Sequence, residues 1–243
     1  MSPVTVVTGG SRGIGAATVR QLAHAGHHIA FCYRTDTTAA DTVLRDIHPT
    51  GVRAIAVQAD TTDPEQVDAL FTAATTQLGD ITGLVNNAGT TSPVGPLVNL
   101  TITDLRRVID VNLVGYILCA QQAARRMTTG GAIVNVSSAA ATLGSPGEYI
   151  HYAAVKAATD TLTIGLAKEL GPRQIRVNTV SPGTIWTDIH TISGVPDRPA
   201  RIAEKVPLGR AGEADEIAAA IVWLLSDAAS YTTGATLRVA GGL

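Results

Sequence analysis

The sequence predicts an α/β fold in which a doubly wound parallel sheet of about seven strands carries helices on both faces. Three observations predict it. Seven short apolar runs recur along the chain without polar alternation, so each strand is expected to be covered on both faces. Segments of helical periodicity separate those runs. A glycine cluster joins the first run to the first helix, as in Rossmann-like sheets.

The elements follow in order. Val4–Thr8 is a β-branched run that opens the sheet. Ala16–Ala25 reads as a helix because Ile14, Val19, Leu22 and Ala23 share one stripe, and Gly26 stops it. His28–Tyr33 is the second strand, residues 37–48 a helix and Arg53–Val57 the third strand. Pro64 opens a helix that closes near Gly79. Gly83–Asn86 is the fourth strand, and Leu105–Met127 a long helical pattern interrupted by Gly115. Ala132–Val136 is the fifth strand, and a helix over His151–Leu170 ends at Gly171-Pro172. Ile175–Val180, a helix over Ala214–Leu225 and Ala235–Val239 complete the order. Residues 184–212 carry no regular pattern but hold Gly194, Pro196, Pro199, Pro207 and Gly209. A long loop in a compact domain is usually functional, so a substrate lid is expected there. Residues 1–243 read as one domain without linker or repeat.

Composition narrows the classes. The chain has 243 residues, 45% hydrophobic and 16% charged, enough for a large core and too apolar for disorder. A net charge of −2 lacks the basic excess of an electrostatic nucleic-acid binder. Cys32 and Cys119 stand in apolar stretches with no CxxC, so buried free thiols are expected and a metal is not. No apolar run approaches the roughly 20 residues that span a bilayer, and Met1–Val4 shows no charged leader. A cytoplasmic location is therefore expected.

Thr8-Gly9-x-x-x-Gly13-x-Gly15, between strand and helix, is suited to a pyrophosphate. Glycines allow the tight turn and close approach, and the helix N-terminus offers free N–H groups. Tyr33 stands where a carboxylate would bind the ribose 2′-hydroxyl of NAD, and Arg34 follows it. Arg34 with Arg12 would suit a 2′-phosphate, which favours NADP(H) over NAD(H), although Asp36 is close by. Tyr152 and Lys156 stand at i and i+4, on one helix face. A neighbouring cation favours a phenolate, the form a tyrosine base requires.

These residues together resemble the short-chain dehydrogenases/reductases, in their short single-domain branch. The likeness runs towards NADP-dependent 3-oxoacyl-carrier-protein-reductase-like and glucose-dehydrogenase-like members. Thr8, Gly9, Ser11, Arg12, Gly13, Ile14 and Gly15 match the family's TGxxxGxG loop, and Asp60-Thr61 its adenine contact. Asn86-Asn87-Ala88-Gly89 matches NNAG, Asn112 the helix-borne asparagine, Ser138 the serine and Tyr152/Lys156 the YxxxK pair. Pro182-Gly183, Ile185 and Thr187 resemble the segment beside the nicotinamide. The resemblance implies hydride transfer between NADP(H) and a carbonyl or secondary alcohol. In that scheme Tyr152 is the general acid/base and Ser138 binds the substrate oxygen. Lys156 holds ribose hydroxyls and keeps the Tyr152 pKa low, and Asn112 positions a relay water. Imine reduction, or a catalytically silent NADP-binding regulatory protein, stays open at this point. The resemblance also implies a small-molecule substrate and a homotetramer (or dimer) pairing helices near 101–127 and 151–170. Ser138 and Tyr152 are 14 residues apart, one more than a common family spacing, which alters the pocket wall at residues 144–151. Arg125, Arg126 and Arg173 are a candidate carrier-protein face. Trp186 and His190 are candidate pocket residues, and Arg238 marks a sheet edge or subunit contact.

Overall fold

The computed structural model describes residues 2–128 and 130–243; Met1 and Thr129 lie outside the described residues, and with Met1 the first residue of the Met1–Val4 segment read above. Seven strands form one parallel sheet in the order β3-β2-β1-β4-β5-β6-β7. They are β1 (Val4–Val7), β2 (His28–Tyr33), β3 (Ala54–Gln58), β4 (Ile81–Asn86), β5 (Gly131–Val136), β6 (Ile175–Pro182) and β7 (Thr236–Val239). The helices are α1 (Gly13–His24), α2 (Thr37–Ile47), α3 (Pro64–Leu78), α4 (Ile102–Ile109), α5 (Gly115–Arg126), α6 (Ala140–Leu143), α7 (Ile150–Leu170), α8 (Ile189–Ile192), α9 (Arg198–Ala203) and α10 (Ala214–Leu225). The fold is Rossmann-like, as the sequence predicts.

Strand residues supply two cores by turns, because successive side chains point to opposite faces. Val4, Val6, Ala30, Cys32, Leu84, Ile133 and Val177 pack with Leu70 and Phe71 of α3, Cys119 of α5 and Leu170 of α7. Val7, Ile29, Phe31, Val85, Val134 and Val180 pack with Val19 and Leu22 of α1 and Ile217, Ile221 and Leu224 of α10. Burial on both faces is why the inner strands read as largely apolar runs, but the edge strand β7 departs from the expectation and alternates, with Thr236 and Arg238 exposed. Both cysteines are free and buried.

Local chemistry sets the helix ends. Asp63 caps α3 by accepting from the Glu65 and Gln66 amides, with Pro64 in the first turn. Thr101 caps α4 through the Asp104 amide, so that helix begins before the expected Leu105. The predicted break at Gly115 lies one turn earlier, as a π-turn over Asp110–Val114. Gly115 itself has helical φ of −57°. Its missing side chain admits Thr61, whose Oγ1 would stand 3.0 Å from a Cβ there. Residues 184–212 are not patternless, since they contain α8 and α9. Among the described residues no helix is long and apolar enough to cross a membrane.

Candidate active site

β1 is flanked by β2 on one side and β4 on the other, so the helix connections leave the sheet in opposite directions there. Such a switch point opens a crevice beyond the carboxyl ends of the strands. A cavity of about 550 Å³ lies there, from the glycine turn to residues 184–198.

At one end Gly9 (φ +64°) and Gly13 (φ +52°) adopt left-handed backbone that disfavours other residues. A Cβ on Gly15 would overlap the Gly9 carbonyl oxygen, so the turn can close only on glycine. Thr8 lies beneath the cavity rather than in its wall: its Oγ1 accepts from the Asn87 (2.9 Å) and Ala88 (3.0 Å) amides. Asn87 answers by donating Nδ2 to the Thr8 (2.9 Å) and Gly9 (3.1 Å) carbonyls, which ties β4 to the glycine turn. Gly9, Ser11, Arg12, Gly13 and Ile14 line the cavity itself. This cradle, with the free amides of α1 above it, fits a dinucleotide pyrophosphate.

Tyr33, Arg34, Asp60 and Thr61 line the cavity beside the turn, as does Arg12. Among the described residues neither Arg12 nor Arg34 is paired with a carboxylate. The Asp36 carboxylate is engaged as the cap of α2, accepting from the Ala39 amide at 2.9 Å. Asp60 Oδ1 accepts from both the amide and the hydroxyl of Thr62 (2.9 and 2.8 Å).

Further along, the ends of β4, β5 and β6 bring Ala88, Gly89, Ser138, Pro182, Gly183, Ile185 and Thr187 to the same cavity, and α7 brings Tyr152 and Lys156. Ser137 also lines the cavity, but its hydroxyl is engaged and donates Oγ to the Lys156 carbonyl at 3.0 Å. Ser138 Oγ accepts from the Ala140 amide (3.2 Å) and remains at the cavity. Gly183 is needed for close packing, since a Cβ there would stand 2.8 Å from Ala240 Cα. Thr187 lies over the glycine turn, its Cγ2 3.2 Å from where a Gly13 Cβ would be.

Asn112 is fully buried in the π-turn and does not line the cavity. Its Nδ2 donates to the Thr90 (2.8 Å) and Val108 (2.9 Å) carbonyls, and its Oδ1 accepts from the Thr90 amide at 3.3 Å. The side chain therefore pins the loop after β4, while the backbone carbonyl accepts from Thr159 Oγ1 at 3.5 Å.

The charge states depart from the expectation that Lys156 holds the Tyr152 pKa down. Burial pushes the Tyr152 phenol up, Tyr149 adds to the rise, and Ser138 opposes it. Burial lowers Lys156 from 10.5 to about 7, against the pull of Asp160. Nζ stands 5.7 Å from the centre of the Tyr152 ring and donates instead to the Val136 carbonyl (2.8 Å) and the Tyr116 hydroxyl (3.2 Å).

At the far end, Arg198 of α9 makes a two-pronged ion pair with Glu148 (2.8 and 2.7 Å). Its guanidinium also lies 5.1 Å over the Tyr149 ring, which meets Tyr152 edge-on at 5.4 Å. His190 lines this end and bonds through Nε2 to the Ile185 carbonyl at 2.9 Å. Trp186 does not line the cavity and is exposed.

The basic residues considered as a carrier-protein face are in part structural. Arg173 caps α5 through the Ala124 and Met127 carbonyls, and Arg126 pairs with Asp68. Arg238 is on the edge strand β7 and reaches Thr142 Oγ1 at 2.9 Å. Sequence reasoning missed Tyr116, although its place four residues after Asn112 puts both on one helical face. It also missed the Glu148–Arg198 pair, 50 residues apart, for which the sequence offers no local signal. Among the described residues no group of three or more His, Cys, Asp or Glu could hold a metal ion.

Comparison with known proteins agrees with this architecture. The family model described as "Enoyl-(Acyl carrier protein) reductase" matches residues 9–243. The uncharacterized oxidoreductase YgfF of Escherichia coli (strain K12) is 48% identical over 244 residues, covering 98% of this chain and 99% of YgfF. A 3-oxoacyl-[acyl-carrier-protein] reductase of Synechocystis is 39% identical over 244 residues, covering 99% of this chain and 96% of that protein. The solved blue fluorescent protein from a metagenomic library, in complex with NADPH, is 39% identical with a TM-score of 0.92. That likeness covers 99% of this chain and 97% of the other. The chain belongs to the short-chain dehydrogenase/reductase family and is an NAD(P)-dependent oxidoreductase.

Proposed function

We propose that this protein is an NADP(H)-dependent oxidoreductase that interconverts a small-molecule carbonyl compound and its secondary alcohol. The observation that carries the reading is that Ser138, Tyr152 and Lys156 share one wall of the cavity that begins at the glycine turn. Arg12 and Arg34 at the adenosine end, with Asp36 engaged as a helix cap, support a 2′-phosphate over a bare 2′-hydroxyl. The NADPH bound by the metagenomic relative is in keeping with that preference. The Synechocystis relative is named for C=O reduction, although the matched family model is named for C=C reduction.

Bound along the cavity, the nicotinamide supplies or accepts a hydride at the reacting carbon. In reduction, the Tyr152 hydroxyl donates its proton to the forming alkoxide. A raised phenol pKa keeps that proton in place until charge develops on the oxygen. Ser138 Oγ donates a hydrogen bond to the same oxygen and stabilises the growing charge. Lys156, as the ammonium, holds ribose hydroxyls and offsets charge on Tyr152. Asn112 fixes the loop at Thr90 and offers its carbonyl to a relay water. Residues 1–243 act in this reading as one domain, with residues 184–212 as lid and a homotetramer or dimer as the assembly. The test is an absorbance assay at 340 nm over a panel of ketones and secondary alcohols, with NADPH and NADH in parallel. Turnover of a carbonyl substrate preferring NADPH is expected; tight NADPH binding with no turnover across the panel would overturn the reading.

A further inference from the structure

Tyr116 is among the largest side chains sealed from solvent, and it is 1% exposed. A phenylalanine would fill the same space without a polar atom, so a sealed hydroxyl needs partners to avoid a desolvation cost. Its oxygen has both. It donates to the Val136 carbonyl at 3.0 Å and accepts from Lys156 Nζ at 3.2 Å. Lys156 Nζ donates to the same Val136 carbonyl at 2.8 Å, which closes a triangle of three polar groups. On the other side, a Cβ placed on Gly89 would stand 4.0 Å from Nζ, so the ammonium lies between this triangle and the cavity wall. The backbone behind Tyr116 is held as well. Asn86 Nδ2 donates to the Tyr116 carbonyl (3.1 Å) and to Asn135 Oδ1 (3.0 Å). Asn135 in turn donates to Thr163 Oγ1 at 2.9 Å.

We propose that Tyr116 is a positioning residue for Lys156: its phenol oxygen accepts a hydrogen bond from the ammonium and fixes Nζ at the cavity wall beside Tyr152. The proposal rests on the function proposed above for its purpose, but not for its test. Burial holds the Tyr116 hydroxyl well above its ordinary pKa, with Tyr152 and Cys119 adding to the rise. It therefore stays a neutral acceptor while Lys156 titrates. The titratable groups near the ammonium are Tyr152 and Asp160 on its own helix and Tyr116 across from it, with Cys119 behind Tyr116. Of these, Tyr116 is the one that accepts a side-chain hydrogen bond from Nζ.

Tyr116→Phe removes only the oxygen. Losing an acceptor disfavours the ammonium, so the Lys156 titration midpoint should fall by roughly one pH unit. The chain has three lysines, so ε-¹³C lysine NMR resolves Lys156 against Lys168 and Lys205 as internal controls. Lys156→Met assigns the signal. A downward move of that one midpoint in a folded Tyr116→Phe protein supports the proposal; an unchanged midpoint overturns it. A second measurement needs no change at Tyr116. Uniform 3-fluorotyrosine labels five tyrosines, and substituting Tyr33, Tyr149, Tyr152 and Tyr231 one at a time leaves the Tyr116 ¹⁹F signal assigned. That signal should step at the Lys156 midpoint, and a flat response there overturns the proposal even if Tyr116→Phe does not fold. Both readouts are taken without turnover, so they stand or fall separately from the assay of activity.

Discussion

Lys156 stores instability in the candidate site, and Lys156→Met should release it. The side chain is 3% exposed, and burial lowers its pKa from 10.5 to about 7. At about 1.4 kcal/mol per pH unit, that gap corresponds to about 5 kcal/mol of unfavourable burial as an upper bound. Methionine keeps the unbranched apolar stem. The Val136 carbonyl keeps the Tyr116 hydroxyl as donor, so the lost hydrogen bonds should cost about 1–2 kcal/mol. A net gain of at most about 3 kcal/mol remains at pH 6. For a chain of this size it would raise Tm by up to roughly 6–12 °C. The sign with pH follows from linkage. Above 10.5 the lysine is neutral in both states and carries no penalty. As pH falls from 10.5 towards 7 the unfolded chain takes up a proton that the folded chain refuses, and the penalty grows; below about 7 it is constant. Urea unfolding of both proteins at pH 6 and pH 10 reads this directly. The gain should be large at pH 6 and absent at pH 10, where the residual penalty of under about 1 kcal/mol no longer outweighs the lost hydrogen bonds. A variant less stable at pH 6, or equally stabilised at both pH values, would refute the reasoning. The expected price is activity, as is common where a functional site is strained.

Two other predictions concern the ends of the cavity. Arg34→Ala should weaken NADPH binding about tenfold to a hundredfold, the worth of one or two charge-assisted hydrogen bonds, and leave NADH within about twofold. Fluorescence titration with each nucleotide reads the difference, and equal losses would remove Arg34 from phosphate recognition. The hydrogen bonds from Arg198 hold the Glu148 carboxyl below its usual range, so the pair is intact above the ordinary carboxylate pKa and is lost as pH falls through the depressed one. Limited proteolysis within residues 184–212 should therefore accelerate in acid, and Arg198→Ala should be cut quickly already at neutral pH. A variant cut no faster than the parent would show that the pair does not hold the segment.

The inner strands are legible in the sequence because they are buried on both faces, which leaves unbroken runs such as Ile29–Cys32, whereas the edge strand β7 alternates, with Thr236 and Arg238 exposed. The glycine turn is legible for a related reason: Gly9 and Gly13 take a left-handed backbone that disfavours other residues and Gly15 leaves no room for a Cβ, so composition records geometry. The break in the helix after Thr101 is half legible. Gly115 marks its neighbourhood, but the π-turn is set by Asn112 reaching Thr90 and Val108, a contact no periodicity reports. Tyr152 and Lys156 are legible as a pair, whereas their charge states are not, because desolvation by elements distant in sequence outweighs the attraction between neighbours. The pairing of Glu148 with Arg198 depends on how residues 184–212 fold back over the site, and that is long-range information.

The most direct test of the central claim is turnover by Tyr152→Phe, measured with saturating NADPH and a carbonyl substrate accepted by the parent protein. Loss of the single phenol oxygen should lower kcat by at least about a hundredfold, the usual worth of a positioned acid. NADPH affinity should stay within about threefold, less than the loss of one ordinary hydrogen bond would cause. Turnover at the parent rate in the folded variant would contradict the account.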